Sequence, residues 1–328
     1  MVGATGSCSA LAPHFEPLTT DRRMTAVVVA YESASHIEAC IRALEDDGGG
    51  ELDVVVIDNA SQDSTVAIVR ENFPSVSVRV MHRNLGYGAA ANIGIRLATG
   101  DPLLILNADA VIERGTIVAL CDRLRDDPQL GCVSPMHITS DGNRQSPARA
   151  CPSIGSAIVD GTMAERWLRG SAVLRAYYRD GVDPGVPPDW LDGACLAFRS
   201  KAMDEVGGFD AGYFMYSEEI DLFRALRHAG WACAVESHAA VRHAGGGSSD
   251  RDLVARECNF FRSRYRLVGK IWGHRFAAFL RILVALMDLA RLAEQLLKAG
   301  LAKERDAHVI EAQRIARVTL WQWFGWRN

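Results

Sequence analysis

The sequence predicts an α/β protein built on a parallel sheet, and three observations carry that prediction. Short, uninterrupted apolar runs recur at Thr25–Ala30, Asp53–Ile57 and Leu103–Leu106. Stretches of helical length separate them. Each run stops abruptly on polar groups: Tyr31-Glu32-Ser33, Asp58-Asn59 and Asn107-Ala108-Asp109. Strands that alternate with helices build parallel sheets through right-handed crossovers. Continuous apolar runs fit strands covered on both faces.

The elements follow in order. After the first strand, Ser35-His36-Ile37-Glu38 matches a capping box, with Ser35 as N-cap and Glu38 at the third helical position. That helix is expected to run to about Asp47 and to stop at Gly48-Gly49-Gly50. Asp53–Ile57 is the second strand. Ser61-Gln62-Asp63-Ser64-Thr65 turns the chain and caps a helix near Val66–Asn72, and alternation marks Val76–Met81 as a third strand. Arg83-Asn84-Leu85-Gly86-Tyr87-Gly88 leads to a helix over Ala89–Ala98, which Gly100 ends. The Leu103–Leu106 strand follows, then an amphipathic helix over Glu113–Asp126 with Ile117, Leu120, Cys121 and Leu124 inward. Residues 131–150 read as strand and loop, ending on Ser146-Pro147-Ala148-Arg149. Residues 153–189, with Pro184, Pro187 and Pro188, read as including a mobile loop over the site. Asp189–Arg199 resumes a strand pattern, in which Gly193 and Ala194 would floor a ligand site. Gly207-Gly208-Phe209-Asp210 is a turn. A helix then opens on Ser217-Glu218-Glu219-Ile220-Asp221 and ends at Gly230.

The 328 residues, 48% hydrophobic, allow one large α/β domain with an appendage, or two domains. A net charge of −4 carries no global basic signature for nucleic acid. The 8 cysteines show no CxxC pair and no zinc spacing, so they read as reduced, mostly buried thiols of a cytosolic protein. No apolar run reaches the roughly 18 residues that a spanning helix needs. Residues 1–23 lack an apolar signal segment and read as a disordered leader, with Met24 as an alternative start.

Three polar strand ends should open on one edge of the sheet, where α/β proteins bind ligands. Asp109, beside the small Ala108, suits a divalent cation carrying a diphosphate; taken alone, the stretch is an ordinary polar turn. Asp58 could accept from a base N–H or a ribose hydroxyl, or simply cap the next turn. Gly86 and Gly88 could admit a phosphate or sugar to the backbone, or only begin a helix. Glu218, Glu219 and Asp221 share one first helical turn, whose dipole favours the ionised state that a general base requires. Acids are also common at helix starts. His243 follows an apolar strand and precedes a glycine-rich stretch, a position open to a metal ligand. There is no GxGxxG after the first strand and no GxxxxGK[ST], which argues against a dinucleotide fold and a P-loop.

Eight stretches together resemble the family 2 inverting glycosyltransferases of GT-A fold, closest to bacterial rhamnosyltransferases that act on lipid-linked sugars. They are Val28–Tyr31, Asp58–Thr65, Asn84–Asn92, Asn107–Asp109, Trp190–Cys195, Gly207–Asp210, Tyr213–Leu222 and His243, and the resemblance covers roughly residues 25 to 250. The resemblance implies a mixed sheet flanked by helices, with residues 24–250 as the catalytic domain and 251–328 as a helical C-terminal region. It implies that Ala30, Tyr31 and Glu32 line the nucleotide pocket and that Asp58, with Asn59, meets the pyrimidine base. Arg83, Asn84 and Gly86 would sit near the base or donor sugar. Asn107 and Asp109 would form the DxD-type motif, with Asp109 and His243 holding Mg²⁺ or Mn²⁺. Trp190, Asp192 and Gly193 would face the acceptor and donor sugar. Glu219 stands where the family carries its base, with Asp221 as the runner-up. Two departures stand out: Asn107 leaves Asp109 as the motif's one anion, and Glu218-Glu219 replaces the usual Glu-Asp.

The implied reaction moves a sugar, rhamnose from dTDP-rhamnose, to a hydroxyl of a glycan or polyprenyl-diphosphate-sugar acceptor, by inversion, in cell-envelope polysaccharide synthesis. The alternative is a catalytically degenerate nucleotide-sugar or glycan-binding module. A nucleotidyltransferase would want a basic, glycine-rich loop after the first strand, which Ala30–Ser33 does not supply. In the tail, Phe260–Arg266, Lys270, Trp272 and Arg275 interleave aromatic and basic groups. Phe276–Lys298 reads as a helix apolar on most faces, with Arg281, Asp288, Arg291, Gln295 and Lys298 as its polar stripe. Trp321, Trp323, Phe324, Trp326 and Arg327 close the chain. This pattern suits peripheral attachment to the cytoplasmic face of the inner membrane, or a helical hairpin packed on the domain or on a second copy in a homodimer.

Overall fold

Every residue of Met24–Ala30 (β1) is buried, because both faces of the sheet it centres are covered. The computed structural model describes residues 24–160, 162–168, 170–179, 186–243, 252–301 and 305–325. The expected leader at 1–23, Pro184, the glycine-rich stretch after His243, and Trp326 and Arg327 lie outside the described residues.

From β1 the chain runs through α1 (Ile37–Gly48), β2 (Leu52–Asp58), α2 (Thr65–Asn72), β3 (Ser77–Val80), α3 (Tyr87–Leu97) and β4 (Leu103–Asn107). Next come β5 (Ala110–Ile112), α4 (Thr116–Asp126), β6 (Leu130–Ile138), β7 (Arg144–Gln145) and β8 (Ala148–Arg149). Three short helices follow: α5 (Ile154–Val159), α6 (Met163–Leu168) and α7 (Ala172–Tyr178). The second half holds β9 (Trp190–Leu191), β10 (Cys195–Phe198), α8 (Ser200–Val206), α9 (Glu218–His228) and β11 (Ala232–His243). Helices α10 (Leu253–Trp272), α11 (His274–Leu301) and α12 (Arg305–Phe324) complete the described chain.

Among the described residues the main sheet runs β3-β2-β1-β4-β10-β6-β11-β5, with β7 beside β6. The first four strands are parallel, as the alternation with helices requires. Strand β10 enters antiparallel between β4 and β6, so the sheet is mixed. This is the GT-A architecture: a mixed sheet flanked by helices, with a helical C-terminal region. Side chains on β1 alternate between two cores. Ala26 and Val28 pack with Ile37, Ile41 and Leu44 on one face, and Val27 and Val29 pack with Ala90, Ala91 and Phe209 on the other. Gly94 of α3 lets that helix lie against the strands, since a Cβ there would stand 2.2 Å from Val27 Cγ1.

Several expectations are corrected. The capping box does not form: His36 precedes α1 without a side-chain cap, and Glu38 pairs instead with Arg42 one turn on, at 2.7 Å. The Ser33 carbonyl takes the N–H groups of both His36 and Ile37, so the turn that leads into α1 is closed from Ser33. Residues 153–189 also hold α5, α6 and α7, whose six or seven residues each are too few to show a helical period, and the part of the expected loop around Pro184 lies outside the described residues. Asp192 to Ala194 form a turn between β9 and β10, not a strand floor. The polar stripe of α11 faces inward: Asp288 and Gln295 are buried, and Arg291 meets Glu311 of α12 at 2.5 Å and Glu257 of α10 at 3.5 Å. The outward face is apolar, as is the buried strip of Ala277, Leu280 and Val284.

One buried cation ties the halves of the sheet together. Arg199, after β10, is only 2% exposed, and its guanidinium donates to the carbonyls of Leu124 (2.6 Å), Leu130 (3.1 Å) and Asp127 (3.3 Å). It thereby satisfies the unpaired carbonyl end of α4. Arg199→Met keeps the length but strands these acceptors. It is expected to lower the unfolding free energy by about 3 kcal/mol, measured by urea denaturation. A loss below about 1 kcal/mol would show that water or a neighbour takes over the carbonyls.

Candidate active site

The carboxyl ends of β1, β2 and β4 open into one cleft of about 400 Å³. Tyr31, Glu32 and Ser33 line it after β1, Asn59 after β2, and Asn107, Ala108 and Asp109 at the end of β4. The second half of the chain supplies Asp192, Gly193, Glu218, Glu219 and His243 to the same space. Parallel strands that end together make this convergence, and it is where open α/β sheets bind ligands.

The first side of the cleft is stitched from backbone and short side chains. Ser61 Oγ accepts from the Glu32 N–H at 2.8 Å, Glu32 Oε1 accepts from the Gln62 N–H at 2.6 Å, and Asp63 Oδ2 accepts from the Ala34 N–H at 3.1 Å. Asn59 is the hub of the next loop. Its amide donates to Asn84 Oδ1 (2.8 Å) and the Gly86 carbonyl (3.2 Å), and its Oδ1 accepts from the Leu85 N–H (2.8 Å). Gly86, at φ 86°, has a reason that spacing alone did not give: a Cβ there would lie 2.2 Å from the Phe214 carbonyl oxygen. The Tyr87 N–H donates to that same carbonyl at 2.9 Å. The donor-side loop is therefore pinned to the segment that delivers Glu218 and Glu219.

Asp109 and His243 meet across the cleft. Asp109 Oδ1 is 3.2 Å from His243 Nε2, and the Asn107 amide is 3.3 Å from the same nitrogen. Burial pushes the Asp109 carboxyl up, but the hydrogen bond and charge of His243 outweigh it and hold the group below the usual carboxylate range. One carboxylate oxygen and one imidazole nitrogen side by side are a donor set that fits Mn²⁺ or Mg²⁺. Among the described residues no cluster of three or more His, Cys, Asp or Glu is placed to hold an ion. Further ligands would have to come from substrate phosphate and water.

Glu219 sits in the first turn of α9. The chain enters that helix through Tyr216 and Ser217, two consecutive non-glycine residues at φ 69° and 65°. Such backbone is rare and costly outside glycine; here it turns the helix start into the cleft. Glu219 Oε1 would be 3.5 Å from a Cβ on Gly193, so glycine there leaves the carboxylate room. Oε2 is buried and has no hydrogen-bond partner among the described residues. Burial, then the charge of Asp192, push Glu219 up to about 7. Glu218 is pushed up as well, by burial and then by Glu219. Asp192 in turn binds Arg149 at 2.6 Å.

Six of the residues singled out from the sequence do not line the cleft. Ala30 is fully buried within β1, and Arg83 is exposed on the loop. Asp58 is buried beneath its own turn, with Oδ2 accepting from the Ser61 N–H at 3.1 Å and Oδ1 unpartnered among the described residues. Gly86 packs on Phe214, as above. Trp190 donates from Nε1 to the Ala150 carbonyl at 2.8 Å and lines a second, smaller cavity instead. Asp221 points away from the cleft and is bound by Lys270 and Arg224. Two residues along a helix is about 200° of rotation, so Glu219 and Asp221 cannot share a side.

The cleft also contains groups that the sequence reading passed over: His36, Tyr87, His137, Tyr216 and Arg256. His137 had a signal, because it lies near the carboxyl end of β6, paired opposite Val241 of β11 and two residues from His243. Burial, then His243 and Arg149, push it down to about 4. The described cysteines are all free, and burial raises the thiols of Cys40, Cys132, Cys195 and Cys233, which suits inert packing groups.

Comparisons with known proteins agree with this geometry. Residues 25–187 match the family model described as glycosyl transferase family 2. The N-acetylglucosaminyl-diphospho-decaprenol L-rhamnosyltransferase of Mycobacterium tuberculosis is 31% identical over 251 residues, covering 73% of this chain and 81% of that protein. Chondroitin synthase of Escherichia coli is 29% identical over 121 residues, 35% of this chain and 18% of that one. Among solved structures, a mannosyltransferase from Pyrobaculum calidifontis in complex with GDP-Man and Mn²⁺ superposes with a TM-score of 0.54 at 18% identity, over 97% of this chain and 92% of that one. GalNAc-T7 with UDP, GalNAc and Mn²⁺ gives 0.56 at 16% identity, over 78% of this chain and 48% of that one. With its strand ends, its carboxylate–imidazole pair and its first-turn glutamate gathered in one cleft, this chain belongs to glycosyl transferase family 2.

Proposed function

We propose that this protein transfers a sugar by inversion from a nucleotide donor to a hydroxyl of a lipid-linked glycan, with dTDP-rhamnose as donor and a polyprenyl-diphosphate sugar as acceptor. The observation that carries the reading is Glu219: a half-buried carboxylate, poised near 7, in the same cleft as the Asp109–His243 pair. The mycobacterial relative acts, by its name, on N-acetylglucosaminyl-diphospho-decaprenol and transfers L-rhamnose. That similarity supports the choice of donor and acceptor.

In this reading the nucleotide lies along Tyr31, Glu32, Asn59 and Asn84, on loops already fixed by their mutual hydrogen bonds. That order lowers the entropy cost of holding the donor. Glu219 accepts the proton of the acceptor hydroxyl as its oxygen attacks the anomeric carbon, while the bond to the diphosphate breaks on the opposite side of that carbon. One displacement inverts the configuration and needs no covalent intermediate. Asp109 and His243 would hold a divalent cation, which neutralises the charge left on the diphosphate. A metal-bound donor on the cytoplasmic side and a lipid-borne acceptor would place the enzyme on the inner membrane surface.

The test is transfer from dTDP-rhamnose to N-acetylglucosaminyl-diphospho-decaprenol, with Mg²⁺ or Mn²⁺ supplied and the product's anomeric configuration read by NMR. The expected product carries the inverted linkage. Retained configuration would remove the single-displacement mechanism. Tight donor binding with neither transfer nor hydrolysis would favour a binding module.

A further inference from the structure

A second cavity of about 140 Å³ touches Glu219 and is walled by Tyr177, Trp190, Tyr216, Phe260 and Trp272. Tyr216 and Glu219 line both this cavity and the main cleft. Its wall is held by Arg264, whose guanidinium donates to the carbonyls of Ser156 (3.1 Å) and Ala157 (2.5 Å) at the end of α5. An aromatic run leads out of it. Trp272 meets Phe276 edge-on with centroids 5.8 Å apart, and Phe276 lies 6.0 Å from Phe279.

Phe279 is 55% exposed and begins the outward face of α11. Ile282, Leu286, Leu289 and Leu296 continue that face at spacings of three, four and seven. From Phe279 to Leu301 every exposed residue of α11 is apolar or glycine, while its charged residues are turned inward or to the flanks. An amphipathic helix turns its apolar stripe to the core, and α11 does so with Ala277, Leu280 and Val284; its outer face is apolar as well, and that face calls for an apolar occupant. Arg275, exposed one turn before Phe279, adds a cation where a lipid head group would sit.

We propose that the second cavity is the acceptor-sugar subsite, and that the run Trp272–Phe276–Phe279 carries the acceptor's lipid tail from it onto the outward face of α11. The inference rests on sugar transfer with Glu219 as base, since an acceptor hydroxyl must come within reach of that carboxylate. Aromatic walls suit the C–H faces of a pyranose, and ring contacts from Trp272 through Phe276 to Phe279 join this cavity to the apolar surface. A lipid tail is preferred to a second copy of the chain as the occupant because the track leads from the base onto this face.

Two measurements test it. The first compares binding of decaprenyl diphosphate and isopentenyl diphosphate to the intact chain in one detergent. The wild type is expected to hold the long chain at least tenfold more tightly, and Phe279→Ser to lose most of that preference, roughly the contact of one aromatic ring. Equal affinities in the wild type, or a preference that survives both Phe279→Ser and Leu286→Ser, overturns the tail track. So does a wild-type dimer that Phe279→Ser splits, which would assign the face to a second copy. The second measurement fills the cavity with Ala157→Met and narrows the question with Trp272→Leu at its outer end. Each is expected to raise the acceptor KM roughly tenfold, while donor-induced thermal stabilisation shows that the fold and the donor cleft survive. An unchanged acceptor KM in the folded variants overturns the subsite. If Glu219→Gln retains full turnover, the base assignment fails whatever these variants do; if it is inactive and these variants are neutral, only the acceptor route fails.

Discussion

Glu219→Gln is expected to lower turnover by roughly 10² to 10⁴, the usual weight of a general base, with little change in donor affinity. The amide keeps the shape of the carboxylate but cannot take a proton. The pH dependence gives the assignment a second, independent signature. Burial and Asp192 raise Glu219 to about 7, so the ionised, working form fills in as pH rises through that value. The wild-type rate should climb from acid pH and level off above it, and Glu219→Gln should remove that limb. Stability should move the other way. A carboxyl whose folded pKa exceeds its unfolded one binds its proton more tightly in the native state, so its contribution falls as pH rises between the two values. Replacing Glu219 therefore flattens the decline of Tm across pH 5 to 8. Asp221→Asn separates the two candidate bases. It disturbs the contacts with Lys270 and Arg224, outside the cleft, and should leave the rate's pH limb in place. A Glu219→Gln enzyme within threefold of wild-type turnover would sink the assignment.

What the sequence disclosed of this site, and what it hid, follows from range. A parallel strand buried on both faces is an apolar run, and its carboxyl end is where that run breaks. Tyr31, Asn59 and Asp109 could thus be placed on one edge from local pattern alone. The phase of α9 could not. Glu219 and Asp221 are equally good first-turn acids, and only the packing of Leu222, Phe223 and Leu226 against the sheet decides which faces the cleft. Helix α11 shows the same limit more sharply. Its period reveals two faces, but not which is inside. Arg291 and Gln295 turn inward because Glu257, Glu311 and His308, on two other helices, are there to receive them. Asp58 illustrates the converse. A turn acid and a ligand acid look alike in sequence, and here the nearer partner, the Ser61 N–H, takes one oxygen.

Asp109→Ala is expected to abolish the part of donor binding that depends on a divalent cation. The carboxylate is the motif's one anion, and the hydrogen bond and charge of His243 hold it below the usual carboxylate range, which favours its ionised form. Asn107 offers only an amide in its place. The measurement is thermal stability with dTDP, in the presence of Mn²⁺ or of EDTA. A nucleotide at about 100 times its Kd stabilises the folded state by about 2.7 kcal/mol. The wild type should gain this only when Mn²⁺ is present; Asp109→Ala should gain no more with Mn²⁺ than with EDTA. His243→Ala should lose part of the gain, since the carboxylate and the diphosphate oxygens remain as ligands. Removing one residue of the pair also takes away a 3.2 Å contact, so each variant's stability without ligand is the baseline for its own shift. Equal Mn²⁺-dependent gains in wild type and Asp109→Ala would mean that the ion, if bound, rests elsewhere, and the pairing of Asp109 with His243 would then be an ordinary hydrogen bond across the cleft.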